Sequence, residues 1–341
     1  MVIRDLAQSK VPAVYDVCAV GNAIVDVIAD SDETFLKLHG IAKGCMQLVD
    51  EERSAYLYKE IGPAIEMSGG SAANTVAGIA ALGGTPTYIG KVRDDQLGAI
   101  FRHDMQASGV YFPTKPATQG PSTARSIILV TPDSERSMNT YLGVSVELVS
   151  EDISAQQIAN AQITYLEGYL FDKPQAQEAF VWASTIAEEA GRLVSLTLSD
   201  TFCVDRHRAA FRKLIVEKID ILFANEFELM ALYQVSSFDE ALALAAKDCK
   251  VVAGTRSEKG AMIAYDGHTI TIAPDPVEKA VDSTGAGDLF AAGFLYGLTH
   301  GLDMVESGRL GAVAASEVIS HYGPRPQGNL RELALAKGIK I

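Results

Sequence analysis

The sequence predicts an α/β protein: a mostly parallel central β-sheet with helices on both faces, plus a smaller, separate β-sheet. Three observations carry this. From residue 150 onward, apolar runs of strand length alternate with stretches of helix length, the pattern of a parallel sheet covered on both sides. The polar and glycine-rich turns of the chain fall just after predicted strands, where such folds bind ligands. Finally, Thr123 to Thr131 and Arg136 to Tyr141 read as two consecutive strands joined by the turn Thr131-Pro132-Asp133-Ser134-Glu135. That hairpin interrupts the alternation, so it belongs to a small sheet of its own.

Taken in order, Tyr15 to Val20 is a buried strand, and Gly21-Asn22-Ala23-Ile24-Val25-Asp26 follows at its end. Asn22 and Asp26 share one face of a straight strand but lie roughly 13 Å apart along it, so they meet one ligand only if the chain bends at Gly21. Ser31 to Pro63 is more polar and reads as a helix and an excursion away from the core. Met67-Ser68-Gly69-Gly70 then offers bare backbone ahead of a helix of small residues, Ser71-Ala72-Ala73-Asn74-Thr75-Val76-Ala77-Gly78. Ser71 and Asn74, three apart, share a face of that helix. Thr85 to Val92 is the next strand and Gln96 to Ser108 its helix. Beyond 150 the order is helix 151–160, strand 163–168, helix 174–190, strand 193–198, a helix near 205–217 and strand 221–224. Helices 226–233 and 238–247, strand 251–254 and two strands around Gly267 come next. A helix from Asp288 and one over about 303–320 close the chain.

The last glycine turn is the richest in chemistry. Val281-Asp282-Ser283-Thr284-Gly285-Ala286-Gly287-Asp288 runs straight into the apolar stretch Leu289-Phe290-Ala291-Ala292-Gly293-Phe294. Glycines ahead of a buried helix leave its first N–H groups free to hold an anion, and the helix dipole favours one there. A carboxylate beside an anion is electrostatically poor unless it has work to do. Asp288 suits the removal of a proton from a hydroxyl while the N–H groups hold a transferring phosphoryl group. The same residues also suit a plain glycine turn with a helix-start Asp, and eight residues do not separate the two readings. Asn225-Glu226-Phe227-Glu228 stands where a strand meets a helix. Asn225 and Glu228 face one way and suit a magnesium ion, directly or through water, or simply a capped helix start.

Composition narrows the partners. The formal net charge of -14 argues against nucleic acid or an anionic membrane,. Cys18, Cys45, Cys203 and Cys249 are scattered, which argues against a zinc site or a disulfide frame and points to a reducing, cytoplasmic compartment,. The first residues lack the apolar core of a signal peptide, and no run is long enough to span a membrane. A phosphate-binding Gly-x-x-x-x-Gly-Lys loop, a dinucleotide fingerprint, a Gly-x-Ser-x-Gly elbow and a His-Glu-x-x-His motif are all missing from the sequence,.

With Ser68-Gly69-Gly70 to Asn74, Asn225-x-x-Glu228, Gly254-Thr255 and Asp282-Ser283-Thr284-Gly285-Ala286-Gly287-Asp288 together, the chain resembles the ribokinase-like (PfkB) kinases over nearly its whole length. The resemblance implies one kinase domain over 1–341, with lid segments near 42–50 and 118–142. It implies transfer of the γ-phosphoryl of ATP, with Mg2+, to a hydroxymethyl group of a sugar or nucleoside. On the family pattern Asp288 is the base, and Gly285, Ala286 and Gly287 form the anion hole. Asn225 and Glu228 lie on the phosphate and magnesium side, with Glu228 toward the metal. Gly254, Thr255 and Gly260 lie at the nucleotide. Asn22, Asp26, Gly69, Gly70 and Asn74 hold the acceptor's hydroxyls. Asp282 and Thr284 match positions that hold a monovalent cation, K+, in many members.

Within the family, Gly21-Asn22-x-x-x-Asp26, Ser68 to Asn74 and Glu135-Arg136-Ser137-Met138 are most similar to adenosine kinases. That similarity makes Arg136 a lid residue meeting the transferring phosphate, and Met46, Leu48 and Tyr169 candidates to pack on a base. Ribose, a ketohexose or a 2-keto-3-deoxy sugar acid is the alternative acceptor, and a nucleoside-binding protein without turnover the alternative class. Monomer and homodimer both remain open.

Overall fold

A computed structural model describes residue 9, residues 11–133 and residues 135–341; Ser134 of the predicted turn lies outside the described residues. β1 (Tyr15–Val20) is buried at five of its six positions, as a strand covered on both faces must be. It stops before Gly21, and after three residues the chain restarts as β2 (Ile24–Asp30). α1 (Glu33–Leu38) is capped by Asp32 and α2 (Glu51–Glu60) by Asp50, with β3 (Met46–Leu48) between them. In both caps the Asp carboxylate accepts an N–H of the first turn that has no partner within the helix. β4 (Ala64–Gly69) leads through Gly70 into α3 (Ser71–Ala81). β5 (Thr87–Ile89), α4 (Gln96–Ala107), β6 (Ala124–Val130) and β7 (Arg136–Tyr141) follow.

The regular half comprises α5 (Ala155–Ala159), β8 (Ala161–Glu167), α6 (Pro174–Glu189), β9 (Leu193–Thr197), α7 (Thr201–Lys218) and β10 (Ile221–Asn225). After it come α8 (Glu226–Tyr233), α9 (Phe238–Asp248), β11 (Val251–Thr255), β12 (Ala261–Tyr265) and β13 (His268–Ile272). α10 (Ala286–Thr299), α11 (Met304–Ile319) and α12 (Leu330–Ala336) complete the described elements.

Among the described residues the strands form two sheets. The larger has eight strands in the order β13-β12-β11-β10-β9-β8-β1-β5. It is parallel except for β12 and β13, which return as an antiparallel hairpin. One buried cluster joins its first face to α3, α10 and α11, through residues such as Val76, Phe294 and Leu310. A second joins the other face to α6, α7, α8 and α9, through Phe180, Phe211, Leu229 and Leu242. The predicted α/β class with a mostly parallel sheet is the observed one.

The smaller sheet has the order β3-β7-β6-β2-β4. It is broader than the predicted hairpin. β2 is not a continuation of β1: it pairs with β6 and β4 in the small sheet. Asn22 and Asp26 therefore do not share one straight strand. Gly21-Asn22-Ala23 is the passage between sheets, and Gly69-Gly70 is the return passage. The polar excursion 31–63 holds two capped helices and the edge strand β3.

Other differences have local causes. α7 begins at Thr201, about four residues earlier than expected, because the Asp200 carboxylate accepts the Cys203 N–H and caps it there. The helix 151–160 is a short 3-10 turn followed by α5, with Ser154 capping the latter. α12 has no counterpart in the sequence reading; it is only seven residues long and is capped by Asn329. Among the described residues, no helix is long and apolar enough to cross a membrane.

Candidate active site

The two passages between the sheets and the N-terminus of α10 converge on one cavity of about 600 Å³. Gly285 is the N-cap of α10, with φ of 81°, a left-handed conformation that costs glycine least. A Cβ at this position would also stand 2.9 Å from the Pro324 Cα. Ala286, Gly287 and Asp288 make the first turn, whose N–H groups have no partners within the helix.

Asp288 is half-buried and tightly held. Its Oδ1 accepts a hydrogen bond from the Ser71 hydroxyl at 2.6 Å, and its Oδ2 one from the Asn74 amide at 2.9 Å. Both donors come from the first turn of α3, as their three-residue spacing requires. Desolvation raises the Asp288 pKa above the ordinary carboxylate value, while Ser71, Asn74 and the charge of Arg325 oppose the rise. Asn74 is buried, and its Oδ1 has no hydrogen-bond partner among the described residues. An unpaired buried acceptor is costly and marks a place for a ligand donor.

Asp26, on β2, is 8% exposed. Its carboxylate lies flat against Gly69, where any Cβ would overlap it; this contact, rather than dihedral freedom, explains a glycine at 69. Burial lifts the Asp26 pKa to about 6, with Arg325 and Arg136 pulling it down and Asp288 pushing it up. Gly70, with φ of 98°, turns the chain into α3, and it lines the cavity beside Asn22, Asp26 and Asn74. Asn22 is engaged at both ends of its amide. Its Nδ2 donates to Glu167 Oε1 at 2.9 Å, and its Oδ1 accepts from the Ser145 hydroxyl at 2.9 Å.

On the opposite side, Asn225 and Glu228 form a closed capping box. Asn225 Oδ1 accepts the N–H groups of Phe227 and Glu228, while its own N–H and amide donate to the two oxygens of Glu228. Glu228 is 4% exposed, and burial first, then the charge of Asp200, raises its pKa to about 7. Both residues line the cavity. No group of three or more metal-ligating side chains that could hold an ion occurs among the described residues. Glu228 thus brings a single carboxylate to the cavity, and both of its oxygens accept from Asn225.

Other expected positions have protein partners of their own or lie outside the cavity lining. Asp282 and Thr284 both hold Arg136. Arg136 Nη1 donates to Asp282 Oδ2 at 2.5 Å and to Thr284 Oγ1 at 3.2 Å. The other Asp282 oxygen accepts Thr284's own N–H and hydroxyl. Arg136 thus meets a carboxylate, because a poorly hydrated guanidinium takes the nearest opposite charge. Gly254 and Gly260 do not line the cavity; Thr255 does. The missing side chain of Gly254 faces Phe238 and Leu229 in the core, and Gly260, with φ of 78°, is a turn glycine ahead of β12.

Met46, Leu48 and Tyr169 do line the cavity. The sequence reading missed Phe202, 73% exposed at the start of α7 yet lining the same cavity. It also missed Glu167, fully buried at the end of β8, which accepts from Asn22 and from the Ala72 N–H at 2.8 Å. Burial raises the Glu167 pKa to about 7. The signal for Glu167 was present, a lone acid closing an apolar strand; Phe202 carried none.

Residues 51–329 match the pfkB family of carbohydrate kinases. A solved structure of a probable sugar kinase from Rhizobium etli is 50% identical, with a TM-score of 0.89 over 96% of this chain and 100% of that one. An adenosine kinase from Sinorhizobium meliloti is also 50% identical, with a TM-score of 0.88 over 95% of this chain and 99% of that one. An ATP-dependent ribose-1-phosphate kinase from Halopiger xanaduensis is 32% identical over 67% of this chain and 73% of its own length. Such agreement along the chain, in sequence as well as in three dimensions, makes this a ribokinase-like protein of the pfkB carbohydrate kinase family, and so a phosphotransferase with a hydroxyl acceptor.

Proposed function

We propose that the protein transfers the γ-phosphoryl group of ATP to the 5'-hydroxyl of adenosine, or of a close purine nucleoside, giving AMP and ADP. The observation that carries this reading is the apolar wall of the cavity. Phe202 and Leu48 are 73% and 58% exposed, and with Met46, Met138, Leu142 and Tyr169 they line the cavity that Asp26 also lines. A free sugar has little to bury against such a wall, whereas a purine ring covers it and gains from doing so. The 50% identity to an adenosine kinase fits this choice, while the equal identity to a probable sugar kinase leaves the alternative below to be tested.

In this reading Asp26 and Asn74 accept from the ribose hydroxyls, and the 5'-oxygen points at Asp288. As that oxygen bonds to the γ-phosphorus, its proton passes to Asp288. The bond from the γ-phosphorus to the bridging oxygen breaks, and the electron pair leaves with ADP. The N–H groups of the Gly285 to Gly287 turn stabilise charge on the phosphoryl oxygens. Asn225 and Glu228 would stand on the side of a magnesium ion carried by ATP, which would supply positive charge to offset the phosphates.

The alternative is a sugar kinase of the same family. A sugar acid or sugar phosphate wants a cation, and Arg206 lines the cavity, but its Nη2 is held 3.0 Å from each oxygen of Asp172. An anionic sugar would have to displace that partner. ADP release measured with adenosine, inosine, guanosine, ribose and fructose decides the matter. Adenosine is expected to give the highest kcat/KM; a higher value for ribose or fructose overturns the nucleoside reading.

Two further outcomes follow from this arrangement. Glu228→Gln is expected to raise the magnesium concentration needed for half activity and to leave adenosine binding almost unchanged. An unchanged magnesium dependence would leave Glu228 as a helix cap alone. Segments 42–50 and 118–142, which carry β3, β6 and β7, act as a lid that keeps water from the transferring group. Their amide exchange should slow when an adenosine analogue is added; protection confined to other parts of the chain would mean that the lid lies elsewhere.

A further inference from the structure

We propose that Arg325, in the segment between α11 and α12, is a positioning residue for the transfer: the fixed positive charge against which Asp26 and Asp288 are set. The inference rests on the kinase reading above but not on the identity of the acceptor. Arg325 Nη2 donates to the main-chain oxygen of Ser68 at 2.9 Å and to the Ser68 hydroxyl at 3.0 Å. Ser68 in turn donates its N–H and hydroxyl to Asp104 Oδ2, at 2.7 and 2.5 Å. The guanidinium is thereby tied to the end of β4, one residue before Gly69, the residue against which the Asp26 carboxylate lies. The residue before it, Pro324, packs on Gly285 at the N-terminus of α10. One short segment thus braces both halves of the site.

The charges around the site call for such a group. Asp26 from β2, Glu167 from β8 and Asp288 from α10 all line the cavity, and each of the first two interacts unfavourably with Asp288. The Asp288 charge also raises the pKa of Tyr165 on β8 and of Tyr169 just beyond it, after the larger effect of burial. Arg325 interacts favourably with Asp104 first, then with Asp26, Asp288 and Tyr88, and it opposes the upward shifts of both Asp26 and Asp288. Arg136 acts on Asp26 as well, but its Nη1 is committed to Asp282. Moreover, Arg325 Nε and Nη1 are buried without hydrogen-bond partners among the described residues. A stabilising contact alone would favour pairing them; their retention fits a charge kept for its field.

The test is the pH profile of kcat in Arg325→Met and Arg325→Lys, read on whichever acceptor gives the fastest ADP release, with thermal unfolding followed alongside. Losing an opposite charge disfavours the ionised carboxylate. In Arg325→Met the acid limb should move up by about one pH unit, a roughly tenfold loss below the limb that recovers at high pH. Arg325→Lys keeps the charge and loses the fork to Ser68, so its limb should stay near the parent's. Equal losses in both variants with unmoved acid limbs would make Arg325 structural and overturn the proposal. If Arg325→Met does not fold, the lysine variant decides alone: a limb shifted up by a unit despite the retained charge overturns it. Failure of the adenosine reading changes the acceptor used in the assay and leaves the limb comparison intact.

Discussion

Asp288→Asn is expected to lower kcat by at least the ~10²–10⁴-fold that follows loss of a general base, with affinities for adenosine and ATP nearly unchanged. The substitution keeps the size of the side chain and its place in the first turn of α10. It keeps an oxygen to accept from Ser71 or Asn74, and it removes only the basic oxygen. Because the base works mainly in the transition state, the loss should fall on kcat rather than on binding. The parent should also lose activity as pH falls, since Asp288 must be ionised to take the proton and burial sets its pKa above the ordinary carboxylate value. That acid limb should vanish from the residual activity of the variant. Turnover within a few-fold of the parent would sink the mechanism and leave the glycine turn as a phosphate holder. Loss of binding of both ligands would instead mean that Asp288 holds the fold.

Asp26→Ala should weaken acceptor binding by ~1.5–3 kcal/mol, roughly ten- to a hundredfold, because two adjacent hydroxyls lose charge-assisted bonds to one carboxylate. Calorimetry with adenosine is the direct measurement, and an unchanged dissociation constant would make Asp26 a buried carboxylate without a ligand. The sign of its effect on stability separates function from fold. Its folded pKa, about 6, is raised above the ordinary value of 3.8. Its contribution to stability is therefore fully present below 3.8 and lost as pH rises through about 6. At pH 8 the ionised carboxylate costs stability, so Asp26→Asn should match or exceed the parent in Tm while binding acceptor less well. A buried charge kept at such a cost is what a binding site demands. A large drop in Tm at pH 8 would assign Asp26 to the fold.

The sequence by itself determined the parts of this protein that depend on local pattern. Alternating apolar runs placed the strands of the large sheet from 161 to 255, and the glycine turn before Leu289 placed the start of α10 to within two residues. Spacing of three put Ser71 and Asn74 on one helical face, and the structure brings both onto Asp288. These features follow from backbone geometry over a few residues, which is why they can be read without a third dimension.

Tertiary structure alone decided what the sheets do to one another. That Gly21-Asn22-Ala23 is a crossing between sheets depends on β2 finding β4 and β6, residues 35 to 100 positions away. Short, edge-lying β3 and β4 carry too little periodicity to announce themselves. Arg136 reads as a surface hairpin arginine or a phosphate ligand from sequence, yet here it closes on Asp282, 146 positions on. Phe202, Glu167 and Arg325 belong to no motif; they matter because the fold sets an exposed ring and a buried acid along one cavity and ties a buried guanidinium to Ser68 behind it. Gly254 and Gly260, placed at the nucleotide by motif position, lie outside the cavity lining, one against a core ring and one in a turn. Local order is set by hydrogen-bond geometry and side-chain period, whereas the site's charges, its apolar wall and its orphaned polar atoms exist only once distant segments exclude water together.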